Sequence, residues 1–377
     1  MRHKGPMPQF VASNNGDRIR LGDIRSARRS AKSRRLAGPF NGVWAWMALL
    51  LILLSLVGCT GSTTTEPKAG APTETSNSGE NSPIHVELAL NWFPEAEHGG
   101  YFAALVKGYY RDAGLDVKIL PGAASSAVLQ RVARNQVAFG VENADRILLG
   151  RAQQADVIAL LAPIQKSPRG IMVHADSGFA KIADIADVTL AVNSGAPWVA
   201  YLKARAPLAN VRFVPYPGSV AQFLVDRKYA QQAYVFSEPY VAREKGADAR
   251  CLLVADLGFN PYTSVLFTNA ETLATQPEVV GKFVSASLKG WQTYLERPEE
   301  TNRYLQEVNP EMTQGILEYG VQALRPLCLD GLPGSTAIGR MTLERWQTLA
   351  GQLVEVGALK SDAVDPRSAF TTKFLLK

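Results

Sequence analysis

The sequence predicts an α/β fold: two lobes of strands alternating with helices, followed by a helical C-terminal part. Two observations carry this. From residue 84 the chain alternates strand-like and helix-like segments as far as 161, and the same rhythm resumes from 171 to 267. From Glu271 onward it reads as helix only. Strands alternating with helices imply a mainly parallel sheet covered on both faces. The part from 83 to 377, about 295 residues, is long enough for two domains of ordinary size.

The elements follow in order. Ile84-His85-Val86-Glu87-Leu88-Ala89-Leu90 has period two and reads as a strand. A helix is expected over 101–113, stopped by Gly114. Strand 115–120, helix 125–134, strand 137–141, helix 144–152 and strand 157–161 complete the first run. In the second run, strands are expected at 171–174, 189–192, 211–214, 233–235, 252–255 and 264–267, with helices at 198–206, 220–227 and 239–245. Pro277 suits a first-turn position and opens a helix to 295, followed by helices at 299–307, 313–324 and 343–356. The expected lobes are 84–172 plus 266–377, and 175–263, joined by two hinge crossings near Val173 and Tyr262.

Residues 1–58 have a different character. Ten Lys/Arg and two acidic residues precede the apolar run from Val43 to Val57, which ends Leu56-Val57-Gly58-Cys59. A basic stretch, an apolar core and a small residue before the cut are the layout of a secretory signal. The run falls short of the roughly 20 residues that span a bilayer as a helix. Its last four residues resemble a bacterial lipobox, which implies lipidation of Cys59. An uncleaved anchor and a twin-arginine signal at Arg34-Arg35 are the alternatives. Residues 59–83, rich in Thr, Ser, Gly and Pro, read as a flexible tether behind the lipidated cysteine.

The charge then reads differently. The chain carries +6, but the segment before Cys59 holds +8, so the rest is at −2. Nucleic-acid binding is therefore excluded as an expectation, since it needs Lys/Arg clustered on the folded part. Cys251 and Cys328 either pair in an oxidising compartment or sit apart as small buried hydrophobes. The four histidines and these cysteines show no metal-ligand spacing, so no metal and no cofactor are expected. There is no Gly-x-Ser-x-Gly elbow and no Walker-type loop.

In open α/β sheets ligands sit beyond the carboxyl ends of strands, where loops open helices. Five loops hold such positions. Asn91–Gly100 offers Trp92 as a stacking face, Asn91 and His98 as hydrogen-bonding groups, and Gly99-Gly100 for close backbone approach. The alternative is that Trp92 is core. Ser125 opens a helix whose backbone N–H groups suit an acceptor, or it is an ordinary cap. Glu142 and Asn143 recognise an amino group or cap the helix at Ala144. Asn193 precedes a helix of the second lobe and suits a polar group. Glu238 and Tyr240 follow Ser237 at a strand end, with a helix-start carboxylate as the alternative reading of Glu238.

The run Asn91-Trp92-Phe93-Pro94-Glu95-Ala96-Glu97-His98-Gly99-Gly100-Tyr101-Phe102, its sequel Lys107-Gly108-Tyr109-Tyr110, and Ser237-Glu238-Pro239 resemble the thiamine-pyrimidine-precursor binding proteins. That family is related to pyrimidine synthases and to nitrate, sulfonate and taurine binding proteins. The resemblance covers about 84–300 and implies a type II periplasmic-binding-protein fold with ligand between the lobes. It implies a solute-binding protein of an ABC transporter, working with a permease and its ATPase as a monomer held at the membrane by its lipid. The expected ligand is a planar heterocycle whose amino edge meets Glu238, with nitrate, sulfonate, taurine or riboflavin as alternatives. Glu142 departs from the family, where neutral or aromatic residues are commoner. The synthases' cysteine-rich motif is missing, so no enzyme is expected.

Overall fold

The order of strands in space follows from where the chain crosses over. The computed structural model describes residues 82–123 and 126–375, so the signal segment, Cys59, most of the tether and Ser125 lie outside the described residues. Ten strands form: β1 (Ile84–Ala89), β2 (Leu115–Leu120), β3 (Phe139–Glu142), β4 (Val157–Leu161), β5 (Arg169–His174), β6 (Thr189–Val192), β7 (Arg212–Pro215), β8 (Tyr229–Tyr234), β9 (Ala249–Leu253) and β10 (Val265–Asn269). They make two five-stranded sheets, ordered β2-β1-β3-β10-β4 and β7-β6-β8-β5-β9. In each sheet one strand opposes the rest: β10 is antiparallel to β3 and β4, and β5 to β8 and β9. Each reversed strand is the first after a crossing, so the crossings set the topology.

Helices cover the faces: α1 (Gly99–Val106), α2 (Tyr109–Asp112), α3 (Val128–Ala133), α4 (Ala144–Ala152), α5 (Pro197–Arg205), α6 (Ala221–Val225) and α7 (Glu238–Glu244). After β10 come α8 (Ala270–Thr275), α9 (Pro277–Glu296), α10 (Glu299–Val308), α11 (Gln314–Cys328) and α12 (Leu343–Glu355). The single helix expected over 101–113 is two, because Gly108 takes φ +72°, a left-handed conformation that ends α1 at little cost only for glycine. The strand expected at 233–235 begins at Tyr229; Gln231 and Gln232 interrupt its apolar pattern, yet it pairs with β6 from Thr189↔Tyr229 onward.

Gly99 and Gly100 serve packing, in place of the ligand approach expected of them. A Cβ on Gly100 would overlap the Trp291 ring, and one on Gly99 the Tyr294 ring, both on α9. Gly290 of α9 faces the Gly100 carbonyl in return. Two helices therefore approach closely against sheet one, with Trp291 fully buried between them.

The chain crosses between sheets at 162–168 and at 254–264. The first crossing was expected near Val173, but Val173 pairs with Arg250 inside β5. An apolar run shows that a strand is buried and not which sheet receives it. A single apolar cluster joins Ala159 and Val265 of sheet one to Ile171 and Leu190 of sheet two, with Trp198 and Trp346 in it. Behind the crossings lies α12. Arg345 donates to the carbonyls of Asn260 (3.0 Å) and Gln165, and its guanidinium stacks on Tyr262 at 3.9 Å. Cys251 and Cys328 are both free.

Candidate functional site

Where the carboxyl ends of the strands of one sheet meet those of the other, polar side chains collect. Asn143, just after β3, donates to the Tyr234 hydroxyl at the end of β8 (3.3 Å). Its Oδ1 accepts the Ser264 N–H (3.4 Å) from the second crossing. Asn143 is the residue before α4, yet its side chain makes no cap bond, because it is used to join the sheets. Ser264 donates to the Glu97 carbonyl (2.7 Å), and Tyr101 donates to the Ser264 carbonyl (2.7 Å). Arg169, the first residue of β5, donates to Tyr234 Oη at 3.0 Å, and its guanidinium lies 5.5 Å from the Trp198 ring and 5.6 Å from the Tyr234 ring.

Four carboxyl groups face this network. Glu95 and Glu97 come from the loop after β1, Glu142 from β3 and Glu238 from α7. Glu95 and Glu97 keep 5% and 1% of their surface exposed. Burial in low dielectric disfavours the charged form, and like charges add to it. Burial, then Glu142, pushes Glu97 up to about 8, with Arg169 pulling it down. Burial pushes Glu142 up to about 7 against a hydrogen bond from the Asn143 N–H. Glu95 is raised well above its ordinary range by burial and then by Glu97 and Glu238. Glu238 is also raised, chiefly by burial.

His98, fully buried, has Nε2 3.0 Å from Asn91 Oδ1 and 3.3 Å from Glu97 Oε1. Burial lowers it to about 3. At neutral pH both His98 and Glu97 are therefore uncharged, so their 3.3 Å contact is not an ion pair. Glu97 Oε2 and Asp145 Oδ1 are buried with no hydrogen-bond partner among the described residues.

The residues expected from sequence part into two groups. Asn91, His98, Glu142, Asn143 and Glu238 belong to the network or adjoin it. Glu238 has both oxygens engaged by protein donors: Tyr216 Oη at 3.0 Å and the Tyr234 N–H at 2.8 Å. Tyr240 instead packs on Tyr319 of α11 (5.5 Å between rings), with its hydroxyl against Gly315. Trp92 is 41% exposed and sits edge-on to Phe93 rather than in the core. Asn193 is exposed, its N–H bound by Gln232 Oε1 at 2.7 Å. Ser125 lies outside the described residues. Sequence reading missed Glu95, Glu97, Arg169, Tyr216 and Tyr234. The first two stand just before His98 in the same loop, and two acidic residues followed by a histidine were the available signal.

The sheets are shut on one another here. Tyr319 of α11 donates to the Val235 carbonyl (2.9 Å), and Arg243 of α7 stacks on it at 4.8 Å. Two hollows lie elsewhere on the surface, about 490 Å³ beside Phe102, Ile119 and Tyr304 and about 430 Å³ beside Asn302 and Arg325. No residue of the inter-sheet network lines either one.

Comparison with known proteins agrees with this architecture. The periplasmic aliphatic sulphonate binding protein SsuA of Escherichia coli superposes with a TM-score of 0.61 at 13% identity, covering 78% of this chain and 94% of its own. The shared feature is the periplasmic-binding-protein fold. The riboflavin-binding protein RibY of Chloroflexus aurantiacus is 26% identical over 86% of this chain and 96% of its own length. The formylaminopyrimidine-binding protein of Halalkalibacterium halodurans is 24% identical over 74% of this chain and 84% of its own. A 4-amino-5-hydroxymethyl-2-methylpyrimidine phosphate synthase of Saccharomyces cerevisiae also matches, at 23% over 61% of this chain and 73% of its own. The family described as NMT1/THI5 like matches residues 95–301, more than half of the 377, and the chain belongs to it.

Proposed function

We propose that the chain is the substrate-binding component of an ABC importer, holding a small planar heterocycle of the formylaminopyrimidine or riboflavin kind between its two sheets. The observation that supports this most is the polar network at the strand ends, which joins Asn143 on one sheet to Tyr234 and Arg169 on the other. A ligand seated there touches both sheets and stabilises the shut form by its differential affinity. The lobes are 84–161 with 265–377, and 169–253, and they move about the crossings at 162–168 and 254–264. The shut form is the one the permease and its ATPase receive. Asn91, Trp92, His98, Ser125, Glu142, Asn143, Asn193 and Glu238 remain the proposed ligand-side residues, with Trp92 at the rim, while Tyr240 is turned to α11.

The protein is exported, released from its signal at Cys59, and held as a lipidated monomer at the outer side of the membrane. Among the described residues no helix is long and apolar enough to cross a bilayer. A pyrimidine-synthase-like activity is the second reading, because synthases of the same family match this chain at 23% identity. The binding reading is favoured by the two relatives named for ligands they bind, which are matched over more of this chain.

Two measurements test this. Mass spectrometry of small molecules released from the purified protein should find one planar heterocycle in near-stoichiometric amount, and the same compound should raise the melting temperature. Turnover of that compound would favour the synthase reading. Absence of any melting shift with pyrimidines, flavins, nitrate or sulfonates would remove the binding reading. Acylation at Cys59, read by intact-mass analysis, tests the anchor.

A further inference from the structure

Arg169 and Glu97 are buried polar groups at the junction of the two sheets that interact electrostatically but make no ion pair with each other. Arg169 has no carboxylate oxygen within 4.0 Å among the described residues, although Glu97 and Asp145 act on it electrostatically. Its one side-chain hydrogen bond there is to Tyr234 Oη (3.0 Å), which leaves four of its five N–H donors for other partners. The Trp198 and Tyr234 rings hold the guanidinium in position. Glu97 is 1% exposed, and its Oε2 has no hydrogen-bond partner among the described residues. A buried oxygen left without a partner destabilises the fold. A guanidinium partly removed from water with no ion pair adds a further cost. A ligand edge that reached both groups would remove both costs.

We infer that Arg169 and Glu97 together recognise a planar amide-type edge, on which a carbonyl oxygen stands next to an N–H. The carbonyl accepts from the Arg169 guanidinium, and the N–H donates to Glu97 Oε2. This rests on the binding reading above and narrows it to lactam, imide or acylamino heterocycles. It disfavours alkanesulfonates and nitrate, whose anionic groups carry no N–H for Glu97 Oε2. A site built on paired polar groups rejects a ligand that lacks one of them far more strongly than an apolar pocket rejects a missing methyl group.

The test is equilibrium binding of the full-length chain to riboflavin, to an N-formylaminopyrimidine and to taurine, repeated with Glu97→Gln, Arg169→Lys and Arg169→Gln. Thermal unfolding of each variant without ligand checks that it is folded. One of the two heterocycles should bind wild type. Arg169→Gln should weaken it at least tenfold, and Arg169→Lys should recover only part of the loss, since an ammonium lacks the planar fork. Glu97→Gln keeps one oxygen acceptor but replaces the other oxygen with an NH2 donor, and should weaken binding severalfold. Glu97→Gln with Arg169→Gln should cost less than the two losses combined, because both act on one edge. Heterocycle binding that is unchanged in folded variants overturns this inference and leaves the binding reading standing. Taurine bound in place of both heterocycles overturns the inference and the heterocycle ligand class, with the importer role intact. Failure of all three probes to bind wild type overturns both.

Discussion

The two sides of the junction between the sheets are built on opposite rules. On the front, Glu97 and Glu142 lie near the Arg169 guanidinium, Glu95 and Glu238 are buried close to Glu97, and Glu97 Oε2 and Asp145 Oδ1 have no partner among the described residues. On the back, the side chains of Arg345, Tyr262 and Gln165 are paired, while the Trp346 ring N–H has no partner among the described residues. Arg345 serves the carbonyls of Asn260 and Gln165 and stacks on Tyr262; the Tyr262 hydroxyl takes the Thr342 N–H at 3.1 Å; Gln165 Nε2 serves Ala162 and Arg340. Buried polar groups are normally satisfied, and groups left unpaired mark a place where something other than folding sets the sequence. On the proposed reading, the back acts as the hinge and the front as the face that takes the ligand.

Substitutions on the back should therefore cost stability, and those on the front should cost binding. Arg345→Ala is expected to show the largest effect, about 2–4 kcal/mol of unfolding free energy, since it strands two carbonyls and removes a stacked cation. Denaturant unfolding would read it, with ligand affinity changed little in the folded fraction. A loss of affinity at unchanged stability would break the comparison. On the front, Glu238→Ala removes the group that holds Tyr216 and the Tyr234 backbone; a tenfold loss of affinity, about 1.4 kcal/mol, is expected in titration calorimetry.

The front should also respond to pH. Glu97, raised to about 8, and Glu142, raised to about 7, keep protons in the fold that the unfolded chain releases near its ordinary 4.5. Their contribution is complete below that value and is lost as pH rises through 7 and 8. His98 acts the other way, because its folded value of about 3 lies below the ordinary 6.5, so its contribution is lost as pH falls below 6.5. Above pH 6.5 only the carboxyl effect remains. The melting temperature of the ligand-free protein should fall by several degrees between pH 6.5 and 8, a change of the order that about 1 kcal/mol produces in a domain of this class. Glu97→Gln should flatten that slope, and a slope identical to wild type would remove Glu97 from it.

The smallest effect belongs to the exposed pair of Arg205 with Glu355, bonded at 2.8 and 2.6 Å where α12 meets α5. Both side chains are well exposed, so Glu355→Ala should cost under about 1 kcal/mol and the loss should shrink in high salt. A larger cost would show that α12 clamps the second lobe more firmly than its exposure suggests.

Much of the fold was legible because alternating apolar strands and helices are local patterns. All ten strands fell within a few residues of their expected places, and each long C-terminal helix did as well. Asn91, His98, Glu142, Asn143 and Glu238 were legible for a related reason: a loop after a strand and before a helix is a local position, and polar residues there stand out. Arg169 was not legible, since it begins an ordinary strand, and Tyr234 reads as one more apolar strand residue.

The sequence by itself determined the alternation of elements, the family, the charge left after the basic front end, and the loops in which polar groups stand at strand ends. Only the tertiary structure decided which sheet receives β5, that Gly99 and Gly100 admit α9, that Tyr240 turns to α11, and that Glu97 and Arg169 face one another without pairing. The physical reason is range. Periodicity and turn chemistry act over a few residues, whereas burial, shifted acidity and unpaired atoms arise when two sheets, formed from distant stretches of chain, close on one another.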